Sequence, residues 1–195
     1  MKTTAQDALI CVDVQNDFCF GGALPVPQGE RVSGPLNRAI LKFDTVVLTR
    51  DWHPRDHCSF SDTPTFEDGS WPTHCVQNSP GAEFHGELHA PLDAIVVSKG
   101  DHPDREAYSG FQDTGLAEKL HKRGITRVFV GGLATDYCVK ATALDAVRAG
   151  FETWLLQDAA RGVKEETTRD ALAEMRAAGV QFESTGELEC HRRTG

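Results

Sequence analysis

A short apolar run that stops at paired glycines and turns at once into a helical pattern constrains this chain more than any other feature. Residues 127 to 150 read RVFVGGLATDYCVKATALDAVRAG. Arg127 to Val130 suits a buried strand, and Gly131-Gly132 punctuates it. Thr135 is then a good N-cap for the helix that follows, because its hydroxyl can accept a first-turn amide. With Thr135 as cap, Cys138 falls in the first turn, where unpaired amides and the helix dipole favour a thiolate. Free cysteines are more often buried packing residues than nucleophiles, so the remaining chain has to decide between the two.

The strand-then-helix unit recurs. Ala8 to Val12 and Thr45 to Thr49 are continuously apolar or β-branched, as expected of strands covered on both faces. Val32, Leu36, Ala39, Ile40 and Phe43 follow helical spacing between Glu30 and Phe43. Further strands are expected at 94–98, 151–156 and 180–183, and helices at 116–123 and 165–178. Six strands alternating with helices predict an α/β fold: a single-domain parallel six-stranded sheet with helices on both faces, spanning 1–195. Residues 50–93 hold much of the histidine, proline and tryptophan and little periodicity. A loop of that length in a compact domain is usually functional.

A chain of 195 residues can bury one substantial core. Its formal charge of -9 argues against nucleic acid and anionic membranes as partners. The basic tail His191-Arg192-Arg193 is too short to change that. No apolar run reaches membrane-spanning length, and the N-terminus lacks a signal-peptide pattern. Six cysteines at irregular spacing, without C-x-x-C, fit free thiols in a reducing cytoplasm. A small-molecule partner is left, with the chain a monomer or a homo-oligomer.

Asp13, Lys99 and Cys138 each fall at or just past the end of a predicted strand. In a parallel sheet those ends share one edge, so the three can meet. A thiol needs a base to take its proton, and a carboxylate serves. A neighbouring ammonium favours both anions. Taken singly, a capping Asp, a surface Lys and a core Cys are the plainer readings; three on one edge make them less so.

A second cluster lies in the long loop. Asp51, His53 and His57 are spaced i, i+2, i+6, and His74 can close the set. One carboxylate and three imidazoles suit one divalent transition metal, Zn²⁺ first, with Fe²⁺ or Mn²⁺ as alternatives, and are too nitrogen-rich for Ca²⁺ or Mg²⁺. Cys58 and Cys75 are close in sequence, so a cysteine-containing zinc site is an open alternative.

The stretches VDVQNDFCFGGALPV, TRDWHPRDHCSF, GSWPTHCVQNSPGAEFHGEL, SKGDHPDREAYSGFQ and GGLATDYCVKATALDA together resemble the isochorismatase-like cysteine hydrolases, and among them the nicotinamidases. The likeness runs from about residue 8 to residue 158. The metal loop with WPTHCVQ separates nicotinamidases from isochorismatases; VDVQNDF alone does not. The resemblance implies a catalytic triad of Asp13, Lys99 and Cys138. It implies metal ligation by Asp51, His53, His57 and His74, with water completing the shell. It implies a cis peptide at Leu133–Ala134 and an oxyanion hole from the amides of Ala134 and Cys138. Phe18, Trp71 and Tyr108, with Ala134, would bind the substrate ring. Tyr137 stands where relatives often carry His. The implied reaction is hydrolysis of nicotinamide to nicotinate and ammonia in NAD salvage, with pyrazinamide a second substrate. Three rivals remain: an amidohydrolase of the same fold acting on a ureido or carbamoyl compound, a metallohydrolase with a structural Cys138, and a non-catalytic metal-binding protein.

Overall fold

The computed structural model describes residues 1–66 and 68–190; the basic tail at 191–193 lies outside the described residues. Six strands form one sheet in the order β3-β2-β1-β4-β5-β6. They are β1 (Asp7–Val12), β2 (Thr45–Asp51), β3 (Ile95–Lys99), β4 (Arg127–Leu133), β5 (Glu152–Arg161) and β6 (Gln181–Glu183). Every pairing is parallel, as the continuously apolar strands lead one to expect. Four helices connect them: α1 (Ser33–Ile40), α2 (Leu116–Lys122), α3 (Lys140–Arg148) and α4 (Glu165–Ala177).

Alternate residues of each strand feed two apolar layers. Leu9, Cys11, Val46, Leu48 and Phe129 pack with Leu36, Ala39 and Ile40 of α1 on one face. Ala8, Ile10, Val12, Val47, Val128 and Val130 pack with residues of α2, α3 and α4 on the other. Helices therefore cover both faces, and the strand order reverses between β1 and β4. In an open α/β sheet, ligands bind in the crevice at the strand C-termini at such a reversal.

Several boundaries differ from the sequence expectation. β4 does not stop at Val130 but runs through both glycines to Leu133. Gly132 has φ 124, and a Cβ there would stand 2.1 Å from the Val12 carbonyl oxygen. The glycine lets β4 lie against β1 rather than ending the strand. β5 is longer than 151–156 because it carries a register shift: Val130 pairs with Leu155, but Gly132 with Ala160. The helix expected over 30–43 divides into a 3-10 turn, Gly29–Val32, and a shorter α1. After β4, Thr135 is not a side-chain cap. Extended Ala134 precedes a π turn, Thr135–Val139, and α3 begins only at Lys140.

Candidate active site

Four strand ends build the site. Asp51 closes β2 and Lys99 closes β3, in register with each other. Asp13 follows β1 in a left-handed conformation, φ 49, which Asp tolerates better than most residues. Its amide bonds the Thr49 carbonyl at 3.1 Å, and the Thr49 hydroxyl donates to its carboxylate at 2.6 Å. Cys138 lies in the π turn after β4.

Lys99 is the hub. Its ammonium is fully buried and sits 2.8 Å from the Asp13 carboxylate. It also donates to Asp51, to the Ala107 carbonyl at 3.2 Å and to Cys138 Sγ at 3.4 Å. One oxygen each of Asp13 and Asp51 and the Cys138 sulfur lie within 4.8 Å of one another. The expected juxtaposition of Asp13, Lys99 and Cys138 is therefore present, and Asp51 joins it.

The charges follow from burial. Burial opposes the Lys99 charge, but Asp13, Asp51 and Cys138 outweigh it and hold the ammonium well above its ordinary pKa. Burial pushes the Asp13 carboxyl up, Lys99 opposes this, and Asp51 adds to it. Burial also opposes ionisation of Asp51, yet Lys99, His53 and His74 together lower its pKa. Cys138 corrects the sequence reading. Burial raises its thiol well above the normal value despite Lys99, with Asp13 and Asp51 reinforcing the rise. That direction favours a thiol that needs a base over a thiolate held by the helix terminus.

The metal candidates fall into two overlapping groups. Asp51, His53 and His74 bring their donor atoms within 4.8 Å, as do His53, His57 and Glu106. His53 Nε2 and His74 Nε2 stand 3.6 and 4.0 Å from Asp51 Oδ2. The second ring nitrogen of His53 contacts the Gly100 carbonyl at 2.8 Å, and that of His74 the Pro72 carbonyl at 2.7 Å. A carbonyl accepts only, so both Nδ1 atoms carry a proton, and Nε2, on the Asp51 side, is the atom each ring has left for a metal. That is the outer-shell pattern that orients ligating histidines. Lys99 takes the other Asp51 oxygen, and the donor set fits a divalent transition metal.

His57 is placed differently. Its Nε2 meets the Arg105 carbonyl at 3.1 Å and its Nδ1 contacts Ser59. It packs on His53, with ring centroids 4.1 Å apart. Burial and the neighbouring His53 lower its pKa. By the same carbonyl rule its Nε2 carries the proton and its Nδ1 lone pair accepts from Ser59, so ligation through Nδ1 has to displace Ser59. Cys58 is exposed, Cys75 is buried, and among the described residues neither joins a donor group, which corrects the cysteine alternative.

Asp51, His53, His74 and Cys138 open onto a cavity of about 100 Å³. Phe18, Trp71, Tyr108 and Ala134 line it, as expected, together with Glu106, Tyr137 and Val163. Trp71 Nε1 donates to the Tyr108 hydroxyl at 3.1 Å, and Trp71 meets Tyr137 edge-on at 5.1 Å. The Leu133–Ala134 bond is cis.

Some supporting residues escaped the sequence reading. The buried Gln15 amide donates to the Asp51 carbonyl at 2.8 Å and accepts the Asp51 amide at 2.8 Å. Asp17 accepts the Cys75 amide at 2.7 Å, which anchors the segment carrying His74. Thr49 and Glu106 were also missed. Gln15 and Asp17 lie inside VDVQNDF, where their density of polar groups just after a buried strand was the available signal.

A model of the isochorismatase domain matches residues 7–187, which include every candidate residue from Asp13 to Cys138. The chain belongs to the isochorismatase family. Within it, a nicotinamidase/pyrazinamidase of Mycobacterium tuberculosis is 45% identical over 185 residues, covering 90% of this chain and 97% of that one. The crystal structure of a pyrazinamidase of Pyrococcus horikoshii in complex with zinc superposes with a TM-score of 0.85 at 49% identity, covering 92% of this chain and 99% of its own. A structure of an L. infantum protein in complex with nicotinate gives 0.89 at 39% identity, covering 98% and 99%. The isochorismatase-like fold expected from the sequence is the one observed. Among the described residues, no helix is long and apolar enough to cross a membrane.

Proposed function

We propose that this chain is a metal-dependent nicotinamidase that also deamidates pyrazinamide, acting as one domain over 1–195. One observation carries the reading: Cys138, backed by Lys99 and Asp13, opens into the cavity that also receives Asp51, His53 and His74 and is walled by Phe18, Trp71 and Tyr108. Relatives named for both substrates support it. Nicotinate as product supports a role in NAD salvage. The free thiols of Cys11, Cys19, Cys58, Cys75 and Cys138 support a reducing, cytoplasmic setting.

Asp13 takes the proton of the Cys138 thiol, which its raised pKa suits it to accept. The sulfur attacks the carboxamide carbon, and the amides of Ala134 and Cys138 hold the developing oxyanion. Asp13 returns the proton to the leaving nitrogen, and ammonia departs from a thioester on Cys138. Asp13 then takes a proton from water, whose oxygen attacks the thioester, giving the free acid and the restored thiol. Lys99 stays protonated throughout and keeps Asp13 and Sγ aligned. Phe18 and Trp71 pack on the ring faces. A divalent transition metal held by Asp51, His53 and His74, with His57 as a fourth candidate, would supply an acceptor for the ring nitrogen and so orient the carboxamide.

The test compares ammonia release from nicotinamide, pyrazinamide, benzamide and a carbamoyl amino acid, with and without a chelator. Nicotinamide and pyrazinamide are hydrolysed. Benzamide, lacking the ring nitrogen, loses roughly 1–3 kcal/mol in kcat/KM, or about fivefold to 150-fold. Chelation removes that discrimination. Equal rates on benzamide and nicotinamide sink the ring-nitrogen role, and a preference for the carbamoyl compound moves the chain to the rival amidohydrolase reading.

Metal content is a separate measurement. Purified protein should carry about one transition-metal ion per chain, as one shared donor set implies. His53 belongs to both donor groups, so His53→Ala should lower occupancy more than His57→Ala. Elemental analysis showing full occupancy in His53→Ala refutes the assignment.

A further inference from the structure

Asp136 stands two residues before the nucleophile and beside Tyr137, yet its carboxylate takes no part in the triad. The residue is only 6% exposed. One oxygen accepts the Val163 amide at 3.0 Å. The other accepts the Lys164 amide at 3.4 Å and the Thr167 hydroxyl. These donors form the N-terminal junction of α4: Lys164 is the extended residue before the helix, and Thr167 lies in its first turn. Lys164 supplies no side-chain cap of its own. The amides of a helix start carry partial positive charge and no internal acceptor. A carboxylate from the nucleophile turn meets that need through charge-assisted bonds.

The consequence reaches the cavity from two sides. The π turn that carries Asp136 also carries Tyr137 and Cys138, and Val163, whose amide Asp136 binds, lines the same cavity. A surface ion pair between Lys140 and Glu174, 3.1 Å, also joins α3 to α4. Exposed pairs of that kind contribute little, so the buried Asp136 contact is the stronger brace.

We propose that Asp136 is a positioning residue for the reaction: clamped on the start of α4, it sets where Cys138 Sγ stands relative to Lys99 and Asp13. This rests on the reading of Cys138 as nucleophile. A misplacement of about 1 Å costs on the order of a hundredfold in rate, and Sγ has one 3.4 Å contact with Lys99 to keep. Asp136 does not line the cavity, so substrate affinity should change little.

Two variants test this at temperatures below their melting points. Asp136→Asn keeps the size but replaces one acceptor with a donor. Thr167→Val removes a donor from the opposite side and leaves the carboxylate in place. Each is assayed by full saturation with nicotinamide. Each is also assayed by acylation with p-nitrophenyl acetate, an activated ester that needs no ring recognition. For Asp136→Asn, kcat falls roughly ten- to a hundredfold, KM stays within about threefold, and nitrophenol release falls in parallel. Thr167→Val gives a smaller loss in the same direction, and the double variant loses no more than Asp136→Asn alone, since both cut one contact. A merely stabilising role lowers Tm but leaves kcat and ester acylation of both variants within about twofold of wild type; that result overturns the proposal. If Asp136→Asn does not fold, Thr167→Val decides by the same criterion. Wild type that reacts with the ester but releases no ammonia from nicotinamide removes the substrate reading, and the ester rates then judge Asp136 on their own.

Discussion

Cys138→Ala abolishes ammonia release, with kcat reduced on the order of 10⁴-fold or more, while the fold and the metal content stay intact. The size of the loss follows from covalent chemistry: with no sulfur there is no thioester, and the remaining groups act as a fragment of a unit. The fold survives because the deletion is a single sulfur at a turn whose backbone is held by its own bonds. Tyr137 and Val139 both donate to the Ala134 carbonyl, at 3.0 and 3.1 Å. The metal survives because Asp51, His53 and His74 lie on other segments. Cys138→Ser is also poor, since an alcohol in the same buried place ionises far less readily than a thiol. Ammonia release by Cys138→Ala near the wild-type rate, with metal bound, would hand the reaction to a metallohydrolase mechanism.

The sequence reveals some of this site and hides the rest for physical reasons. Asp13, Lys99 and Cys138 are legible because each lies at or soon after the end of a strand-like run, and a parallel sheet brings all such ends to one edge. Asp51 is legible as a candidate ligand from its spacing to His53, but not as the second carboxylate on Lys99. That contact depends on the β2–β3 register, which no local pattern encodes. Glu106 sits in an irregular stretch where nothing marks which side chains turn inward. Gln15 holds Asp51 through backbone groups, and a lone glutamine in a loop carries no periodicity to announce it. The resting state of Cys138 fails for a different reason. Its place at a helix start argues for a thiolate, but burial beside two carboxylates is a tertiary fact, and it outweighs the local field. The glycines after Val130 mislead similarly: Gly132 is needed for close approach to Val12, not for a turn.

Lys99→Met is expected to silence the enzyme without removing any atom that bonds to substrate. Lys99 is the buried cation between two buried carboxylates, Asp13 and Asp51, and it also touches the thiol. Methionine fills the space with an apolar chain and leaves the two carboxylates facing each other. Removing one partner from a buried ion pair costs about 3–5 kcal/mol unless a charge is neutralised, and the cheaper escape is protonation of one carboxyl. With Lys99 gone, Asp51 keeps the support of His53 and His74, whereas Asp13 keeps only the Thr49 hydroxyl, so Asp13 takes the proton. A protonated Asp13 cannot accept the Cys138 proton, and Cys138, no longer helped by the ammonium, becomes harder to ionise still. Together these losses put kcat down by roughly 10³-fold or more at neutral pH. The sign of the pH effect follows. Activity requires Asp13 as the anion, so the acid limb of kcat/KM tracks its pKa, and taking away a neighbouring positive charge raises that pKa. The acid limb of Lys99→Met therefore moves to higher pH, and residual activity climbs with pH where the wild type has levelled off. Alkylation of Cys138 by iodoacetamide at neutral pH slows in the same variant. A wild-type acid limb together with a wild-type alkylation rate would mean that Lys99 tunes neither group and serves only to fill the core.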